Sequence, residues 1–229
     1  MSVQIISVIL QKIPSKQRAM KEDKVVHIIK KRIDEADNGT LFFSNSFPEF
    51  DDEYVGHILS NLVADNILHR LCRGVYLKAE ETRFGLVYPP VDHIAKAIAE
   101  RDNAQILPTG ATALNVLGLS TQVPMNSVFL TSGSARAIKL GERTIRFKRA
   151  VPKNFAIKGT KRSLIVQALK AIGENNVTED EYNRICALIK KYPEHETLAD
   201  DLRLMPNWIR KIFVKTLNYQ SNEYSLAKS

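Results

Sequence analysis

The chain has 229 residues, 44% of them hydrophobic and 25% charged, with a formal net charge of +8. That composition suits a soluble globular protein with enough apolar residues for a core, and the length fits two domains better than one. No run approaches the roughly 18 apolar residues a membrane helix requires, so no membrane partner is expected.

The N-terminal stretch SVQIISVILQKI is apolar but lacks a basic leader and a small-residue cleavage site, so a signal peptide is not expected. Val3, Ile6, Ile9, Leu10 and Ile13 fall on one helical face, the pattern of a short packing or dimerising helix. A homodimer, if one forms, is expected there. Residues 16–36 predict a helix with Met20, Val25, Ile28, Ile29 and Ile33 on its apolar face, closed by a turn at Asn38-Gly39. TLFF follows as a short strand, and SNSFPEF as a turn or a single helical turn with Pro48 at its start. Residues 51–65 predict the next helix. Asp51, Asp52 and Glu53 meet its positive dipole end, and Tyr54, Val55, Ile58, Leu59, Leu62 and Val63 form a buried face. ILHRL and GVYLK then read as strands about a tight turn at Arg73-Gly74.

Helix, strand, helical turn, helix, strand, turn, strand is the plan of a winged helix-turn-helix over residues 16–80. In that plan His57, Ser60 and Asn61 face outward from the recognition helix, and Arg70 and Arg73 in the wing reach phosphates or the minor groove. The recognition helix has no Lys or Arg and begins with three carboxylates. Further affinity is therefore expected from Lys12, Lys16, Arg18 and Lys21 around the first helix.

Gly85 and Pro89-Pro90 mark residues 81–90 as a linker. A second, α/β domain is expected over residues 91–217. VDHIAKAIAERDN reads as a helix and AQILP as a buried strand. TGATALNVLGLS reads as a short helix with Thr109 as N-cap. SVFLTSG, ARAIKLG and RTIRFKRA alternate as three strands, the last with Ile145 and Phe147 on one face and Thr144, Arg146 and Lys148 on the other. From Ser163 onward four helices follow, with Thr178 and Glu181 as a capping box, and then a polar tail. The fold class is thus α+β: a winged helix followed by an α/β domain with a helical C-terminal part.

The charge is concentrated. Residues 131–165 carry ten Lys or Arg and one Glu, whereas residues 1–80 balance at eleven of each sign. Arg136, Lys139, Arg143, Arg146, Lys148 and Arg149 predict a second basic surface suited to phosphate-bearing partners. Its plain alternative is a solvated strand pair. Cys72 and Cys186 are far apart, which points away from a disulfide framework and toward a reducing, cytoplasmic setting. The five His residues have no metal-ligand spacing, and His27 and His93 fit buried structural positions. TGATALNVLG matches no phosphate-cradling motif, and the carboxylate runs sit at helix starts. No metal, cofactor or catalytic activity is expected. An enzyme acting on nucleotides or RNA is a rival without a catalytic constellation. A protein-interaction module that binds a partner through the winged helix or the basic surface is the stronger rival, favoured by the acidic helix start.

The segments HILSNLVADNILHRLCRGVYLK, LPTGATALNVLGLSTQVP through RTIRFKRA, and LADDLRLMPNWIRKIF resemble the AbiEi-type antitoxin and transcriptional regulator family of bacterial type IV toxin–antitoxin systems, over about residues 20–215. More narrowly they are similar to an uncharacterised branch related to that family. The resemblance implies a winged helix that binds double-stranded operator DNA and represses its own operon, and a C-terminal domain with antitoxin activity. It also implies a functional partner, a nucleotidyltransferase-like toxin, with which direct contact is not assumed.

Overall fold

The computed structural model describes the backbone of residues 15–193 and 195–217, and the side chains of residues 22–193 and 196–217. The expected apolar N-terminal helix, Lys12 and the polar tail after residue 217 lie outside the described residues, as do the side chains of Lys16, Arg18 and Lys21. The fold is mixed α+β, and the chain divides into two compact units, Met1–Pro89 and Pro90–Ser229.

The first unit begins with α1 (Ser15–Glu35), then β1 (Leu41–Phe42), a 3-10 turn (Ser44–Ser46) and α2 (Asp52–Ala64). Strands β2 (His69–Cys72) and β3 (Val75–Leu77) follow, and the sheet order is β1-β3-β2, all antiparallel. Ile29 and Ile33 of α1 are fully buried against Val55, Ile58, Leu59 and Leu62 of α2, with Phe42 and Phe47 stacked beside them at 6.1 Å. The apolar face of α1 is narrower than the periodicity predicts. Ile28, one residue and about 100° round from Ile29, is 42% exposed. The 3-10 turn also ends before Pro48 rather than starting there.

The C-terminal carbonyls of α1 have no partners within the helix. Lys78, just past β3, supplies them: its ammonium donates to the carbonyls of Ile33 (3.0 Å), Asp34 (2.8 Å) and Ala36 (2.7 Å). A cation against the negative end of the helix dipole is favourable. The backbone pairs of Gly39 and Thr40 with Lys78 complete the tie between helix and sheet. Gly39, at φ +90°, makes a turn there that other residues rarely adopt.

Residues 81–90 do not form a plain linker. They contain most of a second hairpin, β4 (Glu80–Thr82) and β5 (Gly85–Val87), turning at Arg83-Phe84. The Thr82 hydroxyl donates to the Gly85 carbonyl (3.0 Å) and accepts from the Phe84 N–H (3.2 Å), and Gly85 sits at φ +103°. A side chain closing its own turn is local chemistry that the Gly and Pro content obscured.

The second unit starts with α3 (Val91–Arg101), β6 (Ile106–Thr109) and α4 (Ala111–Val116), followed by β7 (Asn126–Thr131), β8 (Arg136–Leu140) and β9 (Arg143–Arg149). The sheet order is β6-β7-β9-β8, with β7 and β9 parallel and the other pairs antiparallel. Phe129, Ile138, Ile145 and Phe147 form its buried face, and α3 turns Ile94, Ala95, Ile98 and Ala99 inward. Thr109 does not cap α4. It is the last residue of β6, its hydroxyl bonds to the Gln167 side chain (3.1 Å), and Gly110 at φ +61° opens the helix.

The helical part comprises α5 (Thr160–Ile172), α6 (Glu179–Lys191), α7 (Leu198–Leu204) and α8 (Asn207–Leu217). The capping box at Thr178 and Glu181 forms as expected. Every residue from Arg162 to Leu169 is buried, making α5 the central helix, which packs along β6 and α4. The Arg162 and Asp201 side chains form an ion pair (2.8 Å), each 1% exposed. Asp201 also accepts from the N–H groups of Lys158 (2.9 Å) and Gly159 (3.0 Å). Arg162 further donates to the Pro193 carbonyl (3.0 Å) and the Thr197 hydroxyl (2.5 Å).

Removing one partner of a buried pair strands the other charge. Arg162→Ala is therefore expected to cost the second unit about 3–5 kcal/mol. The double change Arg162→Met with Asp201→Leu should cost less than either single replacement. Urea titration followed by Trp208 fluorescence reports on this unit directly, since the one tryptophan packs in the helical core. In the first unit, Lys78→Met should cost about 2 kcal/mol. That loss should appear as faster amide exchange at the end of α1, with the Trp208 transition unmoved.

Candidate nucleic-acid interface

The surface of α2 is set by what the helix buries. Asp51 caps it, accepting the Tyr54 N–H at 3.0 Å, and the Val55, Ile58, Leu59 and Leu62 stripe turns inward. His57, Ser60 and Asn61 are left on the exposed side, with Asp52 and Glu53 exposed at the helix start. His57 and Asn61 are neighbours at i and i+4, and neither side chain has a hydrogen-bond or ion-pair partner among the described residues. Ser60 differs. Its hydroxyl donates to the Gly56 carbonyl (2.8 Å) and meets the Tyr76 hydroxyl of β3 (3.1 Å). Its donor is therefore used within the protein, and the group locks the helix to the sheet instead of standing free.

That contact also joins the helix to the β2–β3 hairpin. Arg70 stands opposite Tyr76 in the register, and Arg73 occupies the turn beside Gly74, which sits at φ +70°. Both arginines are exposed and have no acidic partner among the described residues. The structure thus brings His57, Asn61 and Arg70 around the Ser60–Tyr76 contact, with Arg73 at the hairpin end.

Sequence reasoning missed the tip of the β4–β5 hairpin. Phe84 is 85% exposed, and the Arg83 guanidinium lies 4.6 Å from its ring centre. An aromatic ring held in water beside a cation can stack on a base or on another aromatic group. The signal available in the sequence was Thr82 and Gly85 flanking the two turn residues Arg83-Phe84.

In the second unit the six expected basic residues do not form one surface. Register places Lys139, Arg146 and Lys148 on the sheet face opposite Ile145 and Phe147, exposed and without acidic partners among the described residues. Arg136 lies on the other face, paired with Asp102 at the end of α3, which also accepts from Arg101 (2.7 Å). Its charge is partly offset there, since Asp102 serves both arginines. Arg143 alternates away from Arg146 and lines a cavity, and Arg149 is exposed at the strand end. Strand alternation divides what a run of basic letters suggests is continuous.

His27 and His93 are exposed rather than buried. Both cysteines are free thiols, and Cys186 lies 3.2 Å from the Thr216 hydroxyl. Among the described residues no group of three or more His, Cys, Asp or Glu could hold a metal ion, and no helix is long and apolar enough to cross a membrane.

These features define a two-unit α+β protein with exposed, unpaired arginines in a charge-balanced first unit and a basic sheet face in the second. Residues 28–197 match the family of unknown function DUF6088, and the chain belongs to that family. No curated protein matches it.

Changing Lys139, Arg146 and Lys148 together to Gln is expected to lower the salt concentration that elutes the protein from a heparin column. Arg136→Gln should shift elution less than the triple change, because it removes one charge, already partly offset by Asp102, instead of three exposed ones.

Proposed function

We propose that the first unit is a winged helix-turn-helix and that the protein is a double-stranded DNA-binding transcriptional autorepressor. On this reading α2 enters the major groove, His57 and Asn61 meet base edges, and Arg70 and Arg73 on the wing hold phosphates. The observation that carries it is the free His57–Asn61 pair on a helix joined, through Ser60 and Tyr76, to an arginine-bearing hairpin. The sheet order β1-β3-β2 after a helix–turn–helix segment is consistent with that plan. Lys139, Arg146 and Lys148 supply further sequence-independent attraction. The resemblance to AbiEi-type regulators extends the proposal to an antitoxin role in a type IV system, opposite a nucleotidyltransferase-like toxin that need not touch this chain.

Asp52 and Glu53 oppose phosphates at the front of α2 and temper affinity. They favour a second reading, in which the same face docks a protein partner instead of DNA.

Fluorescence anisotropy over a salt series, with duplex from upstream of the gene and a scrambled duplex, separates the two. Tighter binding to the native duplex at rising salt supports repression. Arg70→Ala with Arg73→Ala should then weaken binding and flatten the slope of log affinity against log salt by about two. Asp52→Asn with Glu53→Gln should strengthen binding to both duplexes. No binding to either duplex supports the protein-docking reading.

A further inference from the structure

The second unit contains a cavity of about 940 Å³ bounded by α3, edge strand β6, α4 and the start of α5. Small-molecule sites commonly occupy roughly 300–1,000 Å³. Phe129 and Phe155 contribute flat apolar wall, while Lys96, Arg143, Lys158 and Lys161 supply positive charge against one acid, Asp92. Asp92 lies 3.8 Å from Lys96 and offsets only that cation. The field in the cavity therefore favours an anion.

Two further features converge there. Ser127 is 5% exposed, lines the cavity from the Phe129 face of β7, and its hydroxyl has no hydrogen-bond partner among the described residues. The neighbouring buried hydroxyl, Thr112, is by contrast taken by the Val128 N–H at 2.8 Å. The Ser127 oxygen opens to the cavity, where a polar ligand atom would give it a partner. The 13-residue helix α5 also starts at this cavity with no side-chain cap and no acid in its first turn. Asp201 is nearby, but its carboxylate is taken by Arg162 and by the N–H groups of Lys158 and Gly159, which precede the helix. Lys161 in the first turn opposes the helix dipole, and a bound phosphate would reconcile the two.

We propose that this cavity binds a nucleoside phosphate. The base lies against Phe129 and Phe155, Ser127 bonds a polar edge of the ligand, and the phosphates meet Arg143, Lys158, Lys161 and the start of α5. The inference uses the second unit alone and stands apart from the DNA-binding reading.

The test is isothermal titration of the full chain at low salt with ADP, GDP, CDP and UDP, and separately with inorganic pyrophosphate, adenosine and oleate. At least one nucleoside diphosphate is expected to bind saturably at one per chain, at least tenfold tighter than pyrophosphate or adenosine. Arg143→Gln should weaken that binding about tenfold and Ser127→Ala measurably, with the Trp208 melting transition unchanged to show that both variants fold. The proposal is overturned if no nucleotide binds, if pyrophosphate binds as tightly as every nucleotide, if oleate alone binds, or if nucleotide binding ignores Arg143→Gln.

Discussion

The second unit depends on one desolvated ion pair. Taking Arg162 and Asp201 out of water is costly unless their hydrogen-bonding capacity is used. Here the carboxylate accepts two backbone N–H groups and the guanidinium, and the guanidinium also holds the Pro193 carbonyl and Thr197. One cluster thereby fixes the entry to α5, the segment before α7, and α7 itself. Because α5 is buried from Arg162 to Leu169, its placement decides where α4 and β6 sit against it. The apolar cluster of Ile165, Leu169, Ile185, Leu202, Ile209 and Phe213 packs on the same helix. The ion pair and its backbone partners add directional contacts to that apolar packing.

The first unit solves a similar problem with a surface cation. Lys78 gathers three carbonyls at the end of α1, so the last strand of the three-stranded sheet and the first helix share a fastening. Ser60 and Tyr76 make the equivalent joint between α2 and that sheet. Two polar contacts thus tie α1 and α2, which share one apolar core, to β3 and the residue that follows it. The exposed groups of α2 inherit their positions from these joints. This is why Ser60, outward by helical periodicity, serves the scaffold, while His57 and Asn61 remain available.

Charge is distributed with the same economy. The balanced first unit offers two arginines beside a carboxylate-rich helix start, a combination that limits indiscriminate attraction to phosphate. The basic segment of the second unit is divided by strand alternation between an open sheet face and a cavity, and Arg136 is withdrawn by Asp102. An open sheet face and a concave pocket wall present their charges differently, since a concave wall gathers several side chains around one space. The separation of Lys139, Arg146 and Lys148 from Arg143 allows one segment to serve both.

Much of this architecture was legible because it follows from local rules. The stripes of α1 and α2, the Asp51 cap, the Thr178–Glu181 box and the alternation of β9 each depend on residues within a turn or two of one another. The outward position of His57 and Asn61 and the Arg73-Gly74 turn were readable for the same reason. The sequence by itself determined the order of the elements apart from the β4–β5 hairpin, and the apolar side of most of them. Tertiary structure alone decided the rest, because it depends on partners far apart in the chain. Lys78 finds carbonyls more than forty residues away, Thr109 finds Gln167 instead of capping α4, and Asp102 captures Arg136. The parallel pairing of β7 with β9, the burial of Arg162 and the cavity beside Ser127 arise the same way. No periodicity encodes them, since each is settled by which distant groups share a low-dielectric space once the apolar faces have packed.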